Sequence, residues 1–397
     1  MTDTQRGLIL LIKSALTGEA VMLPVTCNIE EIVRCGKKHK ILPMLYYGIL
    51  NSEINIPEEI KSFLEADTFK NILKDQKQLY QIDLVRKAFE DNGIDYMLLK
   101  GSKLKNLYPK TEMRLMNDAD ILIRVEQKGL ASKVLAKLDF IEDTERKEDH
   151  DTVFNKRGEL RLELHWYIVP PYSKDYFAYF GNGWRFASIE KEGKHSYLMS
   201  PEDNLVYIFA HFANHYRHVG IGVRHLVDFW VYLQRNPNLN EEYVYSCLEE
   251  LKLKQFYINI RDTIGVWFED GESTEMTDYI TNQLFCFGEY KTKNARTVSS
   301  ELQRLKWNET IGKHRWLIKA FPPYEVLHTP YPILRKSKLF LPFVWIFRII
   351  RAVFFRRNSI RKQQEILKNI SKEDIMSFEG ELNYVGLNFD FRKGNRK

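Results

Sequence analysis

The spacing of apolar residues changes sharply at Asn92-Gly93, and that change decides what this chain can fold into. Before it, apolar positions recur every third or fourth residue, as in Leu8, Leu11, Ile12 and Ala15 and later Leu73, Leu79, Ile82, Leu84, Val85 and Phe89, which is the period of helices. After it, residues 95–100 (DYMLLK) form a compact apolar run closed by Gly101 and read as a buried strand. A short helix over 102–107 ends near Tyr108-Pro109, a second strand covers 118–125 (DADILIRV), and a helix covers 127–138. Two more strands flank Asn155-Lys156-Arg157-Gly158, where the glycine supplies the positive φ of a tight turn. From Pro201 into the 320s the helical period returns. The pattern predicts an α+β fold: a small mixed sheet flanked by an N-terminal helical segment and a C-terminal helical domain. The expected units are 1–92, 93–200, 201–330 and 331–397.

A chain of 397 residues exceeds the roughly 250–300 at which single cores stop growing, and 44% hydrophobic with 28% charged residues excludes a disordered polymer. Cys27, Cys35, Cys247 and Cys286 form no CxxC pair and have no histidine at ligand spacing, so they read as thiols of a reducing cytoplasm. The apolar run from Leu8 to Ile12 is cut by Lys13 and followed by no small-residue cleavage site, so secretion is not expected. Net charge is +6 but uneven: from Tyr331 onward fifteen Lys and Arg face six Asp and Glu, a balance of +9 that leaves the preceding residues at −3. Such a basic end suits an anionic partner, or is simply a solvated tail.

Side chains alternate faces along a strand, so Asp118 and Asp120 project to one side while Ala119, Ile121 and Ile123 project to the other. Along 160–166 (LRLELHW), Leu160, Leu162, Leu164 and Trp166 make an apolar face, and Arg161, Glu163 and His165 a polar one. If the two strands are neighbours, Glu163 joins the aspartates. Three carboxylates together repel and raise one another's pKa unless cations neutralise them. Hard oxygen ligands suit Mg²⁺, or Mn²⁺ in its place, and two such ions can bridge an attacking oxygen and a leaving pyrophosphate. Gly101-Ser102, between a strand and a helix, offers N–H groups and a hydroxyl to a phosphate, with Lys100 adjacent and Arg114 able to neutralise phosphate charge. The plain alternative is a solvated sheet surface whose carboxylates pair with Arg114, Arg124 and Arg161.

Leu99-Lys100-Gly101, Leu107-Tyr108-Pro109, Arg114, Asp118-Ala119-Asp120-Ile121-Leu122-Ile123 and Glu163-Leu164-His165-Trp166, in that order, resemble a family of bacterial nucleotidyltransferase-fold proteins. Its members are often encoded in clusters for surface polysaccharides or modified peptides, and the resemblance covers roughly residues 35–235. It implies the polymerase-beta-like nucleotidyltransferase fold, with Gly101-Ser102 holding triphosphate, Asp118, Asp120 and Glu163 holding magnesium, and a nucleotide transferred to an acceptor. The lysine-rich connection before Asp118 is longer than in better-studied relatives.

Further on, His211, His215 and His218 are spaced by four and three and fall on one helix face. No Glu follows His211 as it does in an HExxH zinc site, which leaves a polar face lining a substrate cleft, or ordinary packing. The resemblance places this helical region over the nucleotide, so His165, His211, His215 and Asp228 are the candidates for the acceptor side of the cleft. Residues 339–357 are strongly apolar but interrupted by arginines and too short to span a bilayer. They suit peripheral contact with an anionic membrane, or packing on the protein's own core.

The leading expectation is a Mg²⁺-dependent enzyme that moves a nucleoside monophosphate from an NTP to an acceptor hydroxyl or phosphate and releases pyrophosphate. A catalytically idle nucleotide-binding scaffold in a membrane-associated glycan or peptide-modification pathway is the alternative. Nucleic acid is not indicated, because no aromatic-and-basic stacking motif is present.

Overall fold

The computed structural model describes residues 1–144, residues 150–287 apart from 172, 192 and 219, and, further on, 302, 321, 324–327, 331, 333–355 and 372–387. The chain divides into two compact units, the first containing Met1–Arg146, His150–Tyr290 and Val385–Leu387. That unit opens with four helices: α1 (Asp3–Thr17), α2 (Ile29–His39), α3 (Leu42–Asn51) and the 34-residue α4 (Glu58–Asp91). Thr2 starts α1 through a capping box with Gln5, and Asn28 caps α2 with its side-chain oxygen.

Past Asn92-Gly93 come β1 (Tyr96–Leu99), α5 (Lys100–Leu104), β2 (Ala119–Ile123), α6 (Lys128–Lys137), β3 (Ile141–Glu142), β4 (Asp151–Lys156), β5 (Leu160–His165), α7 (Lys174–Phe180), β6 (Ala187–Ile189) and β7 (Ser196–Met199). They build one seven-stranded mixed sheet in the order β3-β4-β5-β2-β1-β7-β6. Helices α8 (Pro201–His218), α9 (Val223–Arg235), α10 (Glu241–Glu250), α11 (Lys254–Phe268) and α12 (Glu275–Phe287) follow. The α+β architecture is the one expected, and Gly158 does take a positive φ, +73°, in the β4–β5 turn. Boundaries move by a few residues: β1 spans Tyr96–Leu99, the helix after it Lys100–Leu104 rather than 102–107, and β2 Ala119–Ile123 rather than 118–125. Strands β3, β6 and β7 have two to four residues, too few for alternation to register.

The two sheet faces differ as the alternation requires. Leu160, Leu162 and Leu164, with Ala119, Ile121 and Ile123, pack in one core with Ile82, Val85 and Phe89 of α4 and Ala131, Val134 and Leu135 of α6. The opposite face carries Asp120, Arg161, Glu163 and His165. Beyond the first unit, the helix Leu341–Phe355 buries Val344 with Leu327 and Leu334, while Leu339, Phe343, Ile346 and Phe347 are 84%, 68%, 56% and 55% exposed. Among the described residues no helix is long and apolar enough to cross a membrane. Arg356 and Arg357 lie outside the described residues.

Candidate active site

Strand pairing brings the acidic residues together. β1 and β2 run antiparallel with Leu99 opposite Asp120, and β2 and β5 run parallel with Asp120 opposite Glu163. Partners in register share a face, so the Asp120 and Glu163 carboxylates meet beside the turn that leaves β1. Lys100 occupies that turn at φ +46°, a left-handed conformation uncommon outside glycine, and its Nζ lies 2.7 Å from Asp120 Oδ1. His165 Nε2 is 2.9 Å from the same oxygen and 3.7 Å from Glu163 Oε2, while Arg161 Nη2 is 3.2 Å from Glu163 Oε1. Among the described residues no donor reaches Asp120 Oδ2.

Burial alone would raise the Asp120 carboxyl, but Lys100 and His165 outweigh it and hold the group well below the usual carboxylate range. Asp118, which precedes β2, is pushed up by its burial and then by the charges of Asp120 and Glu163. Asp120, Glu163 and His165 form one donor group on this face, with ligating atoms within 4.8 Å of one another. Asp118 stands outside that group but lines the same cavity, which measures about 350 Å³. His165, assigned from the sequence to the acceptor side, is thus a partner of the carboxylates.

Gly101 lines the cavity, and a Cβ there would stand 2.7 Å from Arg114 Nη1. Ser102 is turned inward instead: its Oγ donates to the carbonyls of Leu99 and Asp120 at 2.8 and 3.1 Å, bracing the turn rather than facing a phosphate. Arg114 is anchored by Asp228, with Nε 2.9 Å from Oδ1 and Nη2 3.0 Å from Oδ2, and the Tyr108 hydroxyl donates to Oδ1 at 2.7 Å. Asp228, placed from the sequence on the acceptor side, lines the cavity and holds the arginine there; residues 114 apart in the chain give no sequence signal of such a pair.

His211 and His215 of α8 also line the cavity, their rings 4.4 Å apart, and His225 of α9 joins them, 6.1 Å from His215. Burial, and then neighbouring His215, hold His211 well below its ordinary pKa; burial, then Lys100 and Arg224, bring His215 down to about 4. These imidazoles are neutral at pH 7. His218, on the same helix, is not among the lining residues. His225 escaped the sequence reading because nothing in its own segment marks it.

The match to a family model, rather than this geometry alone, makes the protein a transferase of phosphorus-containing groups. The chain belongs to the family described as uncharacterised nucleotidyltransferases, whose model matches residues 26–269, more than half of its length. Among solved structures, the antibiotic-resistance factor ANT(2'')-Ia is similar at 13% identity over 47% of this chain and 97% of that chain, with a TM-score of 0.34, too distant a likeness to bear on the site. No curated protein gave a match.

Proposed function

We propose that this protein moves a nucleoside monophosphate from an NTP to an acceptor hydroxyl or phosphate and releases pyrophosphate. The observation behind this reading is the in-register placement of Asp120 opposite Glu163, in one cavity with Asp118 and the Lys100-Gly101 turn. The donors are carboxylate oxygens, and Lys100 and His165 both address Asp120 Oδ1, so the set fits Mg²⁺ or Mn²⁺. Asp118, Asp120 and Glu163 would hold the metal, which when bound neutralises charge on the attacking and leaving oxygens. Gly101 seats Arg114 against the turn, and Arg114, fixed through two nitrogens on Asp228, offers its guanidinium to phosphate oxygens there. Lys100 balances charge at Asp120. Glu163, in the same cavity as His211 and His215, takes the acceptor proton. The work belongs in the cytoplasm, where triphosphates are made.

The test is incubation with each labelled NTP, Mg²⁺ and cell extract. Label should pass to an acceptor with the parent protein, and the rate should drop at least about a hundredfold with Asp120→Asn. Equal NTP binding and no transfer by either protein would favour the idle scaffold. The exposed row Leu339, Phe343, Ile346 and Phe347 supports a second element of the reading, peripheral contact with anionic membranes. Co-sedimentation with anionic vesicles should weaken in a Phe343→Ser, Phe347→Ser double variant; sedimentation unchanged by it removes the contact.

A further inference from the structure

Beside the carboxylate cluster, on the strand next in order, lies a second group of ligating side chains of different chemistry. Asp151 begins β4 and pairs in register with His165 at the end of β5, and the Trp166 N–H donates to the His150 carbonyl at 3.1 Å. The backbone thus fixes three side chains against one another: ligating atoms of His150, Asp151 and His165 lie within 4.8 Å of one another, with His150 Nε2 3.6 Å from Asp151 Oδ2. All three are buried, at 7%, 3% and 5% exposure, and neither His150 nor Asp151 lines the substrate cavity.

We infer that His150, Asp151 and His165 form a binding site for a transition-metal dication, such as Zn²⁺, separate from the site that takes Mg²⁺. Two imidazoles and one carboxylate make a donor set that Mg²⁺ disfavours and Zn²⁺, Co²⁺ or Fe²⁺ prefer. His165 is also held by Asp120, whose Oδ1 its Nε2 meets at 2.9 Å. Metal-bound histidines commonly donate the second ring N–H to a carboxylate in this way, and with the proton on Nε2 the Nδ1 lone pair would serve the ion. The ion would fix the His165 ring, and through it the orientation of Asp120. It takes no part in the transfer itself, so the site stands or falls apart from the proposed reaction.

Cobalt is the probe. The full chain, stripped with chelator and titrated with Co²⁺ in the absence of nucleotide, should bind one equivalent with visible d–d absorption. His150→Gln and Asp151→Asn should each weaken that binding at least tenfold, whereas Asp118→Asn and Glu163→Gln should leave the band in place. Melting curves of each apo variant control for folding, and if one histidine variant unfolds, Asp151→Asn gives the same answer. No absorption in the parent protein overturns the site. So does a band that survives His150→Gln and Asp151→Asn but disappears in Glu163→Gln, which would put the ion among the carboxylates.

Discussion

At the scale of single residues, the site depends on an arginine held from two sides. Asp228 accepts from Nε and Nη2 of Arg114, and Gly101 leaves room for Nη1, so the guanidinium has one orientation. In Asp228→Asn an amide replaces one of two charged acceptors, a loss of about 1.5–3 kcal/mol per hydrogen bond to a charged group. The KM for NTP should rise about tenfold with a smaller change in kcat, because phosphate binding is weakened before the chemistry is. Gly101→Ala acts from the other side: the new methyl meets a side chain that its partner will not release. Calorimetric titration with NTP should again show affinity falling about tenfold, while the melting temperature stays near that of the parent. An unchanged affinity in both variants would mean that Arg114 does not meet the nucleotide.

At the scale of elements, α4 acts as a splint. Asp75, Gln78 and Gln81, spaced by three, are all about 4% exposed, and each holds a different loop. Asp75 binds Lys105 and Thr111, Gln78 donates to the Met116 carbonyl at 3.1 Å, and Gln81 meets Glu159 and Lys156. Lys105 is fully buried, so Lys105→Met should destabilise the fold by about 3–5 kcal/mol in urea titration by stranding the Asp75 carboxylate. Adding Asp75→Leu should recover much of that loss. This stripe also shows where sequence reading stops. Alternation in 160–166 marks the faces of β5 because leucines line one side, and the apolar run after Asp118-Ala119-Asp120 marks β2, although the strand starts one residue later than the pattern, at Ala119. Polar residues on a helix, by contrast, look the same whether they meet water or a loop 30 to 78 residues away. The same blindness hid Asp228 behind Arg114, and His150 and Asp151 behind His165: each is a pairing made by the fold, with no spacing to announce it.

Across the whole molecule, buried neutral histidines tie stability to pH. Burial, and then Lys38, bring His39 from 6.5 down to about 4, and His215 is lowered to the same value. The unfolded chain takes up protons near 6.5 that the folded chain refuses until about 4, so stability is full above that range and lost as pH falls through it. His39 alone should contribute on the order of 2 kcal/mol of loss between about pH 7 and about pH 5. Urea midpoints at the two pH values check this, and His39→Gln should flatten the difference. The order of elements has a consequence of its own. Translation delivers all 34 residues of α4 before the first strand. The segments that α4 holds, at Lys105, Thr111, Met116, Lys156 and Glu159, all follow it in the chain, so every one of them is made after the helix it docks on.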